Sequence, residues 1–172
     1  NEDISRTTLL GTYALKQAIE NSGLTKEYMT EKRLTFVSGT TVGGMDVTER
    51  HYHRMLNGET DALHYVLQHD CGSNTKEIAK YCGLDCEATT LSTACSSALN
   101  AIILGVRMLL ANETDIVFAG GTEALSIFHL NGFNSLMILD KEQCRPFDVT
   151  RQGLNLGEGA AYVVLERSDE SS

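Results

Sequence analysis

The residues best suited to chemistry are Ser92-Thr93-Ala94-Cys95-Ser96-Ser97-Ala98. Ala88 to Thr93 before them has strand composition, and Cys95 to Ala111 after them reads as a long helix, apolar on nearly all sides and therefore buried. A cysteine at such a junction meets the unpaired N–H groups and positive dipole end of the helix, which stabilise a thiolate and can hold an oxyanion. The pattern fits a thiolate nucleophile. It also accommodates a small, inert core thiol, a common role for buried cysteine.

Other candidate constellations are weaker. His51-x-His53 with Cys71, or Cys82-x-x-x-Cys86, lacks the paired spacing of a zinc site. The loop Gly39 to Gly44 (GTTVGG) follows a strand, yet no Gly-Lys-Ser/Thr comes after it and its glycine spacing fails the dinucleotide pattern. No cofactor and no metal is expected. Asp148, Arg151 and Glu158 suggest a buried ion-pair role in a glycine-rich return to the last strand.

The positioning elements follow from periodicity. Ser5 can cap a helix with apolar residues at Leu10, Ala14, Ala18 and at Leu15, Ile19, stopped by Gly23. Leu34 to Ser38 reads as a strand, followed by the glycine loop and a helix through about Leu56. Asn57-Gly58 marks a turn, Asp61 to Gln68 looks helical, and Ser73 can cap a helix over Lys76 to Tyr81 that ends at Gly83. Asp115 to Ala119 predicts a buried strand ending in Gly120-Gly121, a pair that signals close backbone approach or positive φ. Ala124 to Leu139 mixes helix and loop, and Ala160 to Glu166 is a final strand. Strands alternating with helices imply an α/β fold with a mostly parallel sheet covered on both faces.

Composition narrows the function classes. The 172 residues are 42% apolar and 22% charged with one proline, which suits a globular α/β protein. A net charge of −9 argues against a sequence-independent grip on nucleic acid phosphates or an anionic membrane surface. No apolar run is long enough to span a bilayer; the longest candidate, Ala101 to Ala111, is interrupted by Arg107. Five cysteines form no disulfide framework, favouring reduced thiols in the cytoplasm. Asn1 to Arg6 carries no signal pattern, and the start reads as a cut in a longer chain.

Four segments, in order, carry a family resemblance: TACSSALNAI around Cys95, DIVFAGGTEAL, NGF at Asn131 to Phe133, and CRPFDVTRQGLNLGEGAAYVVLE from Cys144 to Glu166. Together they resemble the N-terminal half of a β-ketoacyl-acyl-carrier-protein synthase of the thiolase superfamily, over essentially residues 1–172. The resemblance implies a thiolase-like half with a nucleophile-bearing helix, and a five-stranded family sheet whose first strand, expected to be central, is absent here. It makes Cys95 the nucleophile that takes an acyl chain from a carrier protein's phosphopantetheine thioester, before condensation with a decarboxylated malonyl unit. The Cys95 N–H becomes the first half of the oxyanion hole, its partner coming from the family's C-terminal half. Val42 and Phe133 match positions lining the acyl tunnel; ordinary core packing is the alternative for both.

The resemblance also marks a departure. The family's two catalytic histidines lie in C-terminal motifs that residues 1–172 lack, and His51, His53, His64, His69 and His129 read as surface or locally bonded residues. The chain alone is thus expected to be inactive in condensation. Acyl carrier protein is the implied partner, and a homodimer is implied through the strand Ala88 to Thr93. Two other readings remain: a non-catalytic partner subunit similar to the chain-length factors, against which a cysteine at position 95 speaks, and a thiolase using coenzyme A, against which the Arg145 to Asp148 and Gly157 to Ala160 segments speak because they resemble the carrier-protein branch.

Overall fold

The computed structural model describes residues 4–168; the first residues of the Asn1 to Arg6 stretch and residues 169–172 of the polar end lie outside the described residues. Helix α1 (Arg6–Ser22) starts at Ser5, whose side chain accepts the Thr8 N–H, and stops at Gly23, at φ 71°. A short α2 (Lys26–Thr30) leads into β1 (Leu34–Gly39). After the glycine loop come α3 (Met45–Leu56), a 3-10 segment (Thr60–His69) and α4 (Cys71–Tyr81). The second half runs β2 (Glu87–Leu91), α5 (Ser97–Leu110), β3 (Ile116–Glu123), α6 (Ile127–Ser135) and β4 (Gly159–Glu166).

The four strands form one mixed, mostly parallel sheet in the order β2-β1-β3-β4. β1 is parallel to both β2 and β3, and β4 closes the other side antiparallel to β3. Alternate residues of β1 and β3 face opposite layers, as the strand period requires. Phe36, Ile116 and Phe118 pack with Leu15 of α1 and Ile78 of α4, whereas Val37, Val117 and Ala119 pack with Ala101 and Leu109 of α5. A small satellite core of Val47, Ala62 and Tyr65 joins α3 to the 3-10 segment.

Several expectations need correction. β1 pairs directly with β3 from Leu34↔Ile116 to Gly39↔Gly121, so the sheet has no central gap. A further strand could join only outside β2 or β4, so the absent family strand is not a central one. Helix α4 starts at Cys71 because Asp70, not Ser73, caps it by accepting the Gly72 N–H. β2 ends at Leu91 and α5 begins at Ser97, so Cys95 lies two residues ahead of the helix. Gly120 and Gly121 lie within β3, and neither has positive φ. α5 buries only the stripe Ser97, Ala101, Gly105 and Leu109; Leu99, Ile103, Val106 and Leu110 on its other side are exposed.

Candidate active site

The C-terminal ends of β1, β2 and β3 converge beneath the start of α5. A Cβ on Gly39 would lie 2.5 Å from the Ser97 carbonyl carbon, and one on Gly121 would lie 2.8 Å from both Ala98 Cβ and Gly39 O. Close approach, not backbone conformation, therefore accounts for these glycines. The stripe of small residues on α5 continues the effect, since a Cβ on Gly105 would lie 2.7 Å from Val117 Cγ1. The helix sits directly on the sheet, which fixes where its first turn begins.

The residues between β2 and α5 are tied down by their own side chains. Ser97 Oγ accepts the Thr93 N–H at 2.8 Å and donates to Ala94 O at 2.7 Å. Ser96 Oγ donates to Thr93 O at 2.8 Å, and Asn100 Nδ2 donates to Thr93 Oγ1 at 2.8 Å. Ala94 is held at φ 53°, a left-handed conformation that costs a non-glycine residue about 1–3 kcal/mol and is concentrated at functional sites. The strained turn presents Cys95 as an exposed free thiol. Ser96 caps α5 without a side-chain hydrogen bond, and the first N–H of the helix, that of Ser97, donates to Ala94 O at 3.0 Å.

Cys95, Val42 and Phe133, far apart in sequence, line one cavity of about 360 Å³. Leu125, Phe128 and Leu156 complete a mainly apolar wall. A second hollow of about 410 Å³ also includes Cys95 and is floored by small residues such as Gly39, Ala98, Gly121 and Ala160. The thiol is therefore common to both hollows.

Two lining residues were not singled out from sequence. His129 reads as a surface or locally bonded residue, yet α6 places it in the chamber wall beside Phe133, with ring centroids 6.4 Å apart. Glu123, at the end of β3, accepts hydrogen bonds from the Thr40 hydroxyl at 3.0 Å and the Thr41 N–H at 2.5 Å. The signal available for Glu123 was an acidic residue two positions after the glycine pair, at the end of an apolar strand; for His129 there was none, because an i, i+4 relation to Phe133 requires the short helix to be known.

The remaining polar residues play local roles. Glu158 pairs with Arg6 at the surface, Arg6 Nε donating at 2.9 and 2.8 Å, and this guanidinium holds the carboxyl below the usual range. Asp148 instead accepts from Thr150 Oγ1 and N, both at 2.7 Å, and Arg151 donates to Asp148 O at 2.9 Å. The expected buried ion pair among Asp148, Arg151 and Glu158 is thus replaced by an exposed turn and a surface pair. His51 stacks on Tyr65 at 3.6 Å, and His64 Nδ1 donates to Asp61 O at 2.5 Å. Among the described residues no group of three His, Cys, Asp or Glu is placed to hold a metal ion, and no helix is long and apolar enough to cross a membrane. Burial pushes the Cys82 and Cys86 thiols up to about 11 and also raises Cys71.

A mostly parallel sheet ending beneath a cysteine-bearing strand-to-helix corner, beside an apolar chamber, is the arrangement of a thiolase-like fold. The chain belongs to the β-ketoacyl synthase family, whose N-terminal domain model matches residues 1–171. It is 27% identical to nodulation protein E of Rhizobium meliloti (strain 1021), over 98% of this chain and 43% of that protein. It is 29% identical to 3-oxoacyl-(acyl-carrier-protein) synthase 2 of Coxiella burnetii, over 99% of this chain and 44% of that protein. The ishigamide ketosynthase/chain length factor structure superposes with a TM-score of 0.86 at 28% identity, covering 96% of this chain and 42% of that one. The chain thus spans less than half the length of these relatives.

Proposed function

We propose that residues 1–172 are the acyl-accepting half of a β-ketoacyl-acyl-carrier-protein synthase of fatty acid, polyketide or polyene synthesis. The observation that carries this reading is the exposed Cys95 thiol lining the apolar chamber that also holds Val42 and Phe133. The Cys95 thiolate attacks the carbonyl carbon of an acyl-phosphopantetheine thioester; a new C–S bond forms and the pantetheine thiolate leaves. Thiol and thioester exchange readily, and the covalent step divides a difficult condensation into two easier ones. The Cys95 N–H, in the turn two residues ahead of α5, is suited to the developing oxyanion. Malonyl carrier protein then loses carbon dioxide, its carbanion attacks the acyl carbon, and the departing Cys95 thiolate is regenerated.

The family's two histidines support decarboxylation and lie outside these residues, so the chain alone is expected to stop at the acyl-enzyme. Carrier protein is the proposed partner, in keeping with the name of the Coxiella relative. Unpaired cysteines fit a reducing, cytoplasmic setting. β2 is an edge strand, so pairing of two copies along Glu87–Leu91 would satisfy its open backbone groups and give a homodimer; a monomer in sedimentation of the intact protein at micromolar concentration overturns that arrangement.

A second reading, a non-catalytic partner subunit, is favoured by the name of the ishigamide structure, which includes a chain length factor. Cys95 separates the two. The test incubates the protein from its whole reading frame, its Cys95→Ala variant and the 172-residue chain with acyl thioester and malonyl carrier protein, following protein mass and product. Acylation mapped to Cys95 and abolished in Cys95→Ala is expected. Acylation at Cys71, Cys82, Cys86 or Cys144, or full activity in Cys95→Ala, overturns the nucleophile assignment. Product from the 172-residue chain alone overturns its proposed incompleteness.

A further inference from the structure

Two carboxylates hold separate walls of the Cys95 chamber by their backbone. Glu123 Oε2 accepts the Thr41 N–H at 2.5 Å, while its Oε1 accepts the Thr40 hydroxyl at 3.0 Å and the Val42 N–H at 3.4 Å. Glu49, on α3, spans the first turn of α6: its Oε2 accepts the Ile127 N–H at 2.9 Å and its Oε1 the Phe128 N–H at 2.7 Å. The first clamp fixes the loop that carries Val42; the second fixes the helix that carries Phe128, His129 and Phe133. Neither carboxylate forms an ion pair among the described residues, so both are committed to these neutral donors. Carboxylates fit such clusters because they only accept, and charge-assisted bonds to N–H groups are the stronger kind.

We propose that Glu49 and Glu123 are positioning residues that set the width of the chamber, and hence which acyl chains Cys95 takes up. The proposal rests on the reading of Cys95 as acyl acceptor. Glutamine keeps the size of either side chain but replaces one acceptor oxygen by an NH2 donor facing a backbone N–H. At Glu49 both partners are backbone N–H groups, so the first turn of α6 must then move with its aromatic residues; at Glu123 the Thr40 hydroxyl can turn to accept from the NH2, and it is the Val42 N–H that is left facing a donor. An apolar pocket discriminates by about 10- to 200-fold per methylene of chain, so a wall displaced by less than that is expected to change chain preference by about three- to tenfold.

The experiment uses the protein from its whole reading frame, together with Glu123→Gln and Glu49→Gln, and a series of straight-chain acyl thioesters from short to long. Acylation rates at Cys95 are read by mass, and each variant's melting temperature is recorded. A clamp predicts that the ratio of long-chain to short-chain rates shifts about three- to tenfold in each folded variant. A merely structural role predicts that all rates fall together with melting temperature, and that result overturns the proposal, as does an unchanged ranking. Should Glu123→Gln fail to fold, Glu49→Gln decides by the same ratio. If the unsubstituted protein is not acylated at Cys95 at all, the acyl-acceptor reading falls, a failure visible before any variant is compared.

Discussion

On one face of the sheet, α1 and α4 meet large side chains, with Leu15, Phe36, Ile78 and Phe118 fully buried. On the other face, α5 presents Ser97, Ala101 and Gly105 at four-residue intervals, with Leu109 completing the stripe. The first interface interdigitates side chains; the second brings helix backbone almost onto strand backbone at Gly39 and Gly121. Large side chains can shift rotamers to absorb a change, whereas backbone in contact with backbone cannot. The tight face is also the one that carries Cys95, so the proposed nucleophile lies where the helix has least freedom to move.

The sharpest way to separate the faces is truncation. Phe118→Ala on the α1/α4 face should destabilise by about 3–5 kcal/mol, the range for a buried aromatic side chain. Val117→Ala on the α5 face removes less volume and should cost about 1–3 kcal/mol. Denaturant unfolding of both variants checks the order; equal losses would mean that the two faces do not differ as the packing implies.

Adding a methyl group reverses the comparison. Gly39→Ala drives Cβ into the Ser97 backbone at 2.5 Å, with nothing flexible to yield. It should cost about 1–3 kcal/mol or more by overpacking and slow Cys95 acylation by shifting the turn. Gly11→Ala meets the Ile78 Cδ1 tip, also at 2.5 Å, but a side-chain end can turn away. The helix-propensity gain of about 1 kcal/mol offsets much of that contact, so the expected change in melting temperature is small. A Gly11→Ala variant as unstable as Gly39→Ala would show both faces to be equally rigid.

The thiols report the same contrast through pH. Cys82 and Cys86 pack against the α1/α4 core, and burial raises them from 9.0 to about 11, while Cys95 is exposed. Alkylation of Cys82 and Cys86 at pH 8 should therefore be at least about tenfold slower in the folded chain than in denaturant. Because their folded pKa lies above the unfolded one, they favour folding below about pH 9, and this contribution is lost as pH rises through about 11. Peptide mapping after iodoacetamide treatment checks the first point and unfolding at pH 8 and 11 the second. Cys82 labelled as fast as Cys95 would break the contrast.

Much of this division was legible in the sequence. The α1 boundaries followed from Ser5 and Gly23 because capping is local chemistry, and β1, β3 and β4 followed from short β-branched and apolar runs. The corner around Cys95 was visible as a strand-to-helix junction, although the actual helix start at Ser97 depends on hydrogen bonds among Thr93, Ala94, Ser96 and Ser97 that composition does not encode. Strand order was not legible: direct β1–β3 pairing is a long-range choice, and the expectation of a vacant centre failed on it. Val42 and Phe133 came from the resemblance, whereas Glu123 and His129 emerged only when the glycine loop, the β3 end and α6 were brought together.

Within the 172-residue chain, the smallest expected effect on stability concerns the outer side of α5. Leu99, Ile103, Val106 and Leu110 are 61%, 39%, 40% and 78% exposed, and they form an apolar stripe opposite the small residues that touch the sheet. A contiguous exposed apolar stripe signals a contact surface. The matched relatives are more than twice as long as this chain, and a segment corresponding to their second half is the cover the stripe would fit. Ile103→Gln in the 172-residue chain should then change stability by no more than about 0.5 kcal/mol, as for a surface substitution, and reduce self-association. In the protein from its whole reading frame the same substitution buries an amide where an isoleucine belongs, and about 1–3 kcal/mol of destabilisation is expected. Paired unfolding curves for the two lengths decide the matter. If Ile103→Gln is equally mild in both, the outer side of α5 stays open in the parent protein as well, and α5 is a one-faced helix rather than the middle layer between two packed surfaces.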